Sequence, residues 1–306
     1  MSQLLSTTTL AESLRIAVPY ACAAVGGVWA ERSGVIQIGL EGVLLTSAFS
    51  SVAVALATGS VVAGLGAGVV LGVALSALHA WLVERTRIDA VVSGIALNLL
   101  AYSGTRLALK ALYDSSSNSP AIGGFRFGPT GTEGWQLLAR VFADPVTILA
   151  IVAIALSPWL LRRTRLGLNI RACGENPVAA QAAGLDVRRI RLTALCISGA
   201  ICALGGIHLA YDQHRFEAGM SGGRGFIALA AVVLSGWRPG RAAAACIAFG
   251  FLEALQIILQ DIGRGSKAAT LIQLLPFVAT LVVLALGIGK AATPRGIGKH
   301  ADEAEG

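Results

Sequence analysis

Long apolar runs broken by short charged clusters recur along almost the whole chain. They fall at residues 14–30, 35–58, 61–83, 88–109, 145–161, 192–211, 226–237, 242–259 and 268–287. A helix needs roughly 20 apolar residues to cross the hydrocarbon of a bilayer. All but the seventh run come close to that length, so the pattern predicts an all-α polytopic membrane protein with about nine transmembrane helices, eight to ten by the choice of ends. Two places break the pattern. Gln37, Gly39, Glu41 and Gly42 interrupt the second run near its start, and Gly219, Gly222, Gly223 and Gly225 precede a seventh run too short for a straight crossing. Broken or re-entrant segments are expected near Gln37–Gly42 and between Gly219 and Trp237. Pro19 interrupts the first run, where neighbouring helices must accommodate it. Gly64, Gly66, Gly68 and Gly72 in the third run suit close helix packing in lipid.

Composition supports the same class. Of 306 residues, 55% are hydrophobic and 13% charged, with mean hydropathy +0.72, whereas soluble domains carry about 25% charged residues. Nine spans use about 180 residues, which leaves one transmembrane domain over residues 1–306 and no separate soluble one. The net charge of +7 sits at span ends and reads as topology and headgroup contact rather than nucleic-acid binding. With the N-terminus outside and nine alternating spans, 15 Lys and Arg fall inside and 8 outside, so the C-terminus and a tail from residue 290 to 306 are expected in the cytoplasm. Residues 114–144, rich in Gly and Ser and poor in basic residues, read as an external loop. The opening residues lack a positive n-region, so a cleaved signal peptide is not expected. Cys22, Cys173, Cys196, Cys202 and Cys246 form no CxxC pair and read as small packing residues.

Residues 162–191 are the longest polar stretch between apolar runs. They carry Arg162, Arg163, Arg165, Arg171, Arg188, Arg189 and Arg191 against Glu175 and Asp186, which keeps the loop cytoplasmic. A short helix is legible inside it: Asn176 as N-cap, Pro177 at the first helical position, Val178 to Ala183 as its body and Gly184 as the left-handed stop. A rigid rod of about two turns is thereby offered to a partner protein.

Polar groups within the apolar runs are candidates for a solute path. Glu41 is costly in lipid unless paired or facing water; it serves that path, a structural ion pair or a helix-end hydrogen bond to neighbouring backbone. Asn98 contacts solute or bridges helices. Glu253 and Gln256 share one helical face, with the same two readings open, and Gln273 is a further candidate. Outside, Asp212, His214, Arg215 and Glu217 are either solvated or in contact with a partner. His79, His208 and His300 stand isolated, which argues against a metal site.

Several stretches carry a family resemblance. Arg171-Ala-Cys-Gly-Glu-Asn-Pro177-Val-Ala-Ala-Gln-Ala-Ala-Gly184 resembles the coupling segment of permease subunits of bacterial ABC importers, in the branch that handles ribose-like sugars, nucleosides and branched-chain amino acids. Glu31-Arg-Ser-Gly-Val-Ile-Gln-Ile-Gly-Leu-Glu-Gly42, Gly223-Arg-Gly-Phe-Ile-Ala-Leu-Ala-Ala231, Gly236-Trp-Arg-Pro239 and Leu275-Pro-Phe277 are similar to the nucleoside-type members. Gln37, where relatives usually carry Asn, and Val233-Leu234-Ser235 depart from the pattern. The resemblance implies one permease domain in the bacterial inner (plasma) membrane. It implies a homologous second permease subunit or a second copy, cytosolic ABC ATPase subunits, and a periplasmic or extracellular solute-binding protein. It implies ATPase coupling through Arg171, Gly174, Glu175, Asn176, Pro177, Ala180 and Gly184. Nucleosides are the expected cargo, with ribose-like sugars as the alternative. The chain has no GxxxxGK[ST] phosphate cradle, so no cofactor is expected on it, and ATP with Mg belongs to the partner subunits. An ion-coupled secondary transporter is the reading from another class, with Glu41 and Glu253 as ion sites, although no internal repeat is evident. An enzyme is disfavoured, since neither HExxH nor GxSxG occurs.

Overall fold

The computed structural model of the chain describes residues 7–123, 125, 134–262, 278 and 293–299. These hold eleven helices: α1 Thr7–Glu31, α2 Leu40–Thr58, α3 Val61–Thr86, α4 Ala90–Tyr113, α5 Gly134–Ala143, α6 Pro145–Arg163, α7 Arg165–Glu175, α8 Pro177–Ala182, α9 Val187–Asp212, α10 Arg224–Leu234 and α11 Pro239–Ile262. Six of them, α1, α2, α3, α6, α9 and α11, are long and apolar enough to cross a membrane. Helix α4 has 24 residues but carries Asn98 and Arg106. The ninth apolar run apart from Val278, with Gln273 and Leu275 to Phe277, lies outside the described residues.

Burial separates centre from rim. Within their most apolar windows α1 is 83% buried and α9 72%, against 22% for α3 and 28% for α6 and α11. Helix α1 packs against α9, α10 and α11, and α9 also lies along α2 and α3. Lipid supplies little apolar driving force, so close backbone approach has to do the joining. Gly64, Gly68 and Gly72 form that stripe on α3. A Cβ on Gly64 would stand 2.3 Å from the Ser51 carbonyl oxygen, and one on Gly72 would stand 2.7 Å from Ala203 Cβ. Gly66, two residues along, meets nothing within 4 Å, because it points to the opposite face. At Pro19 the accommodation comes from α9, where a Cβ on Gly205 would approach Pro19 Cα to 3.0 Å.

Both predicted breaks are present. After α1 the chain leaves helical geometry for residues 32–39, and Gln37 there is fully buried. Helix α10 has 11 residues, so it spans about 16 Å, half a bilayer core. Gly219, Gly222 and Gly223 have positive φ on one side of it, and Gly236 and Trp237 on the other.

The structure adds three features to the sequence pattern. Within residues 114–144, α5 packs against α1 and α6. The irregular part of that stretch is also tied down, since Ser119 N–H donates to the Phe216 carbonyl at 2.9 Å and Ile122 N–H to His214 at 2.7 Å. The basic loop holds two helices rather than one, because Thr164 caps α7 through the Gly167 N–H. The polar tail folds back in part: Gly296 N–H donates to the Gly174 carbonyl at 2.8 Å and Gly298 N–H to Gly34 at 2.9 Å.

Candidate functional site

Helix α8 forms as its sequence dictates. The Asn176 side-chain oxygen accepts the Ala179 N–H at 2.9 Å, Pro177 occupies the first turn, and Gly184 turns left-handed at φ +84°. Its faces divide cleanly. Pro177 and Ala180 are buried against the body, while Val178, Ala179 and Gln181 to Gly184 are exposed. The root of the rod is locked. Gly174 is buried so close to the turn after α1 that a Cβ would sit 2.1 Å from the Arg32 carbonyl oxygen. Glu175 ends α7 and pairs with Arg32 at 3.7 Å, and Arg171 Nε donates to the Gly167 carbonyl at 3.4 Å. Of the sequence-derived set, Gly174, Pro177 and Ala180 therefore face inward. The outward surface is made by Glu175 and Gly184 of that set together with Val178, Ala179 and Gln181 to Ala183.

The turn of residues 31–34 collects contacts from every nearby element. Arg32 Nε donates to the Trp237 carbonyl at 2.9 Å, and Trp237 Nε1 donates to the Glu31 carboxylate. Arg191 of α9 donates to the Ser33 carbonyl at 3.0 Å and to Glu84 of α3 at 2.6 Å. Its side chain is 1% exposed and that of Glu84 7%. Sequence reading counted Arg191 only as a topology charge. Nothing in the spacing pairs residues 107 positions apart, so the pair was invisible there. Burial, and then the nearby Arg171, Arg238 and Arg162, weaken the hold of Arg32 on its proton, with Glu175 opposing.

Inside the bundle, side chains satisfy the broken backbone. Irregular backbone at membrane depth is tolerated only where protein supplies its hydrogen bonds. Asn98 of α4 does this twice: its Nδ2 donates to the Ile38 carbonyl at 2.9 Å and its Oδ1 accepts the Gly42 N–H at 2.7 Å. His79 bridges the Ile36 carbonyl and Ser93, and Gln37 Nε2 reaches Ser76 at 3.4 Å. Glu41 accepts from Gly223 N–H at 2.8 Å and Gly225 N–H at 2.7 Å. Its carboxylate thus caps α10, where free N–H groups and the helix dipole favour negative charge. A Cβ on Gly225 would lie 2.5 Å from the Glu41 nitrogen, so the starts of α2 and α10 meet almost backbone to backbone.

A charged cluster lies beside this junction. Arg224, the first residue of α10, pairs with Glu253 of α11 at 2.6 Å, and the Tyr20 hydroxyl of α1 donates to the same carboxylate at 2.6 Å. The Arg224 guanidinium also stands 5.7 Å from the Tyr20 ring centroid. Glu253 stands out in the sequence as a carboxylate in an apolar run, whereas its partner Arg224 is 29 residues away and is brought to it by packing. Gln256, one turn on, is half-buried with no polar partner among the described residues. Gln273 lies outside them.

At the opposite end, Asp144 caps α6 through Val146 and Thr147 and faces His208 at 3.6 Å. Burial works to raise the Asp144 carboxyl, but the nearby His208 and the hydrogen bonds from Thr147 outweigh it and hold the group below the usual carboxylate range. Asp212 pairs with Arg15, and Arg215 with Glu217; all four side chains remain partly exposed.

The family described as branched-chain amino acid transport system / permease component matches residues 9–286. The nucleoside ABC transporter permease protein NupC of Lactococcus lactis is 33% identical, with 94% of this chain and 95% of the relative covered. The guanosine ABC transporter permease protein NupQ of Bacillus subtilis is 34% identical, with 94% and 93% covered. The ribose import permease protein RbsC of Escherichia coli is 27% identical over 67% of this chain and 65% of its own length. Among solved structures, an inward-facing metal-chelate type ABC transporter superposes with TM-score 0.51 at 15% identity, covering 91% of this chain and 85% of the other; this likeness shows the fold alone.

Proposed function

The chain belongs to the branched-chain amino acid transport system / permease component family, and from that premise we propose that it is the permease subunit of an ATP-driven importer of nucleosides. The cargo rests on the two relatives, nucleoside and guanosine permeases by name, that match nearly end to end. The observation that carries the mechanism is the seating of α8. Its capped rod exposes one face, buries the other, and is rooted through Gly174 in the turn that ends α1. A cytosolic ATPase gripping the exposed face from Val178 to Gly184 would move Gly174, the 31–34 turn and the starts of α2 and α9 together. In this reading the arginine-bearing face is cytoplasmic, the membrane is the bacterial plasma membrane, and ATP is hydrolysed on separate subunits. A second permease, homologous or identical, completes the pathway, and a solute-binding protein docks on the opposite face.

The polar residues divide in the same reading. Asn98 and Glu41 hold the broken backbone in shape, while Glu253, Gln256 and the Arg224–Tyr20 pair are the candidates for solute contact. Uptake of labelled guanosine and uridine into proteoliposomes that hold the complete complex, with ATP inside or outside, tests the proposal. ATP-dependent uptake that unlabelled nucleosides suppress and ribose does not is the expected result. Uptake driven by an ion gradient without ATP would defeat the importer reading. ATP-dependent uptake competed only by ribose would defeat the cargo.

A further inference from the structure

Beside the root of α8 lies a pocket of about 270 Å³ walled by four arginines. They come from four separate segments: Arg32 after α1, Arg162 at the end of α6, Arg171 on α7, and Arg238 before α11. Pro158, Leu161, Trp237 and Pro239 complete its lining. No carboxylate lines it among the described residues, and Glu175 meets only Arg32, at 3.7 Å. Two of the guanidiniums are held in place, Arg32 by the Trp237 carbonyl and Arg171 by Gly167. Four like charges around one cavity repel each other, and an anion among them reverses the sign of that interaction.

The level of the pocket identifies the anion's source. The exposed apolar side of α6, with Leu149, Val152 and Leu156, leads toward it, and Trp159 beside it is 58% exposed. An exposed Trp followed at once by Arg162 and Arg163 marks the depth of lipid headgroups, where amphipathic rings and snorkelling arginines gather. The guanidinium fork matches phosphate oxygens in pairs, and basic pockets between span ends take lipid headgroups. We propose that this pocket is a phosphate site filled by the headgroup of an anionic phospholipid, which pins the ends of α6 and α11 to the turn that α8 moves. The site does not depend on which solute is carried.

Native mass spectrometry of the detergent-purified complex tests this, with phosphatidylglycerol, phosphatidylcholine and inorganic phosphate offered separately. The wild type should retain phosphatidylglycerol over phosphatidylcholine. Arg162→Gln combined with Arg238→Gln should weaken that retention about 30-fold, the worth of two basic side chains at a membrane surface. Arg189→Gln, on α9 and outside the pocket, should leave it unchanged. Equal retention by the double variant and the wild type would overturn the proposal. So would inorganic phosphate that displaces the lipid at equal concentration, since the source would then be the free ion. Loss of the ATPase subunits from the double variant with lipid retention intact would assign the pocket to an acidic protein partner instead.

Discussion

Replacing Gly174 with alanine places one methyl group where the Arg32 carbonyl oxygen already stands, 2.1 Å from the new Cβ. Ordinary carbon–oxygen contact lies near 3.5 Å, so the 31–34 turn and the end of α7 must separate by more than about an ångström. Nothing soft is available to give way, because the obstacle is backbone. Overpacking of this kind costs about 1–3 kcal/mol. It also strains the Gly296 N–H bond to Gly174 and the Arg32–Glu175 pair. The exposed face of α8 is untouched, so ATPase subunits should still co-purify and hydrolyse ATP. Transmission from α8 into the body should suffer: ATP-driven uptake is expected to fall by at least about tenfold, the kinetic equivalent of 1.4 kcal/mol. Gly184→Ala is the comparison. It meets nothing within 4 Å but sits at φ +84°, so only backbone strain of about 1–2 kcal/mol arises, and uptake should fall far less. Uptake and ATPase activity measured together on reconstituted complexes decide the matter. Wild-type uptake in Gly174→Ala, with the complex intact, would show that α8 does not act through this contact.

The other expectations are simpler. Asn98→Ala orphans the Gly42 N–H and the Ile38 carbonyl and should lower thermal stability by about 1–3 kcal/mol per group; full stability with a raised KM for uptake would make Asn98 a solute contact instead. Glu84→Gln leaves Arg191 buried without its charge partner and should destabilise by about 3–5 kcal/mol, whereas Glu84→Leu with Arg191→Met should recover much of that in unfolding scans; an additive pair would contradict the buried-bridge account. Glu41→Gln keeps an acceptor but removes the charge at the start of α10. Hydrogen–deuterium exchange at residues 223–228 should quicken, and unchanged protection there would remove the cap from the explanation.

The sequence by itself determined the class and most of the local structure. Apolar runs of spanning length fixed the helices because lipid allows no other open conformation. Asn176, Pro177 and Gly184 set both ends of α8, since capping needs only residues next to each other in the chain. The glycines and polar residues around Gln37 and Gly223 announced breaks for the same local reason. Tertiary structure decided what each charge is for. Arg191 and Glu84, Arg224 and Glu253, and Glu41 with the α10 amides are partners across long separations, and hydropathy records only that a polar group is present. A carboxylate in lipid must find a donor, but which donor is set by how the helices pack. The inward turn of Gly174, Pro177 and Ala180, the α5 helix between α4 and α6 and the four-arginine pocket likewise depend on which surfaces meet.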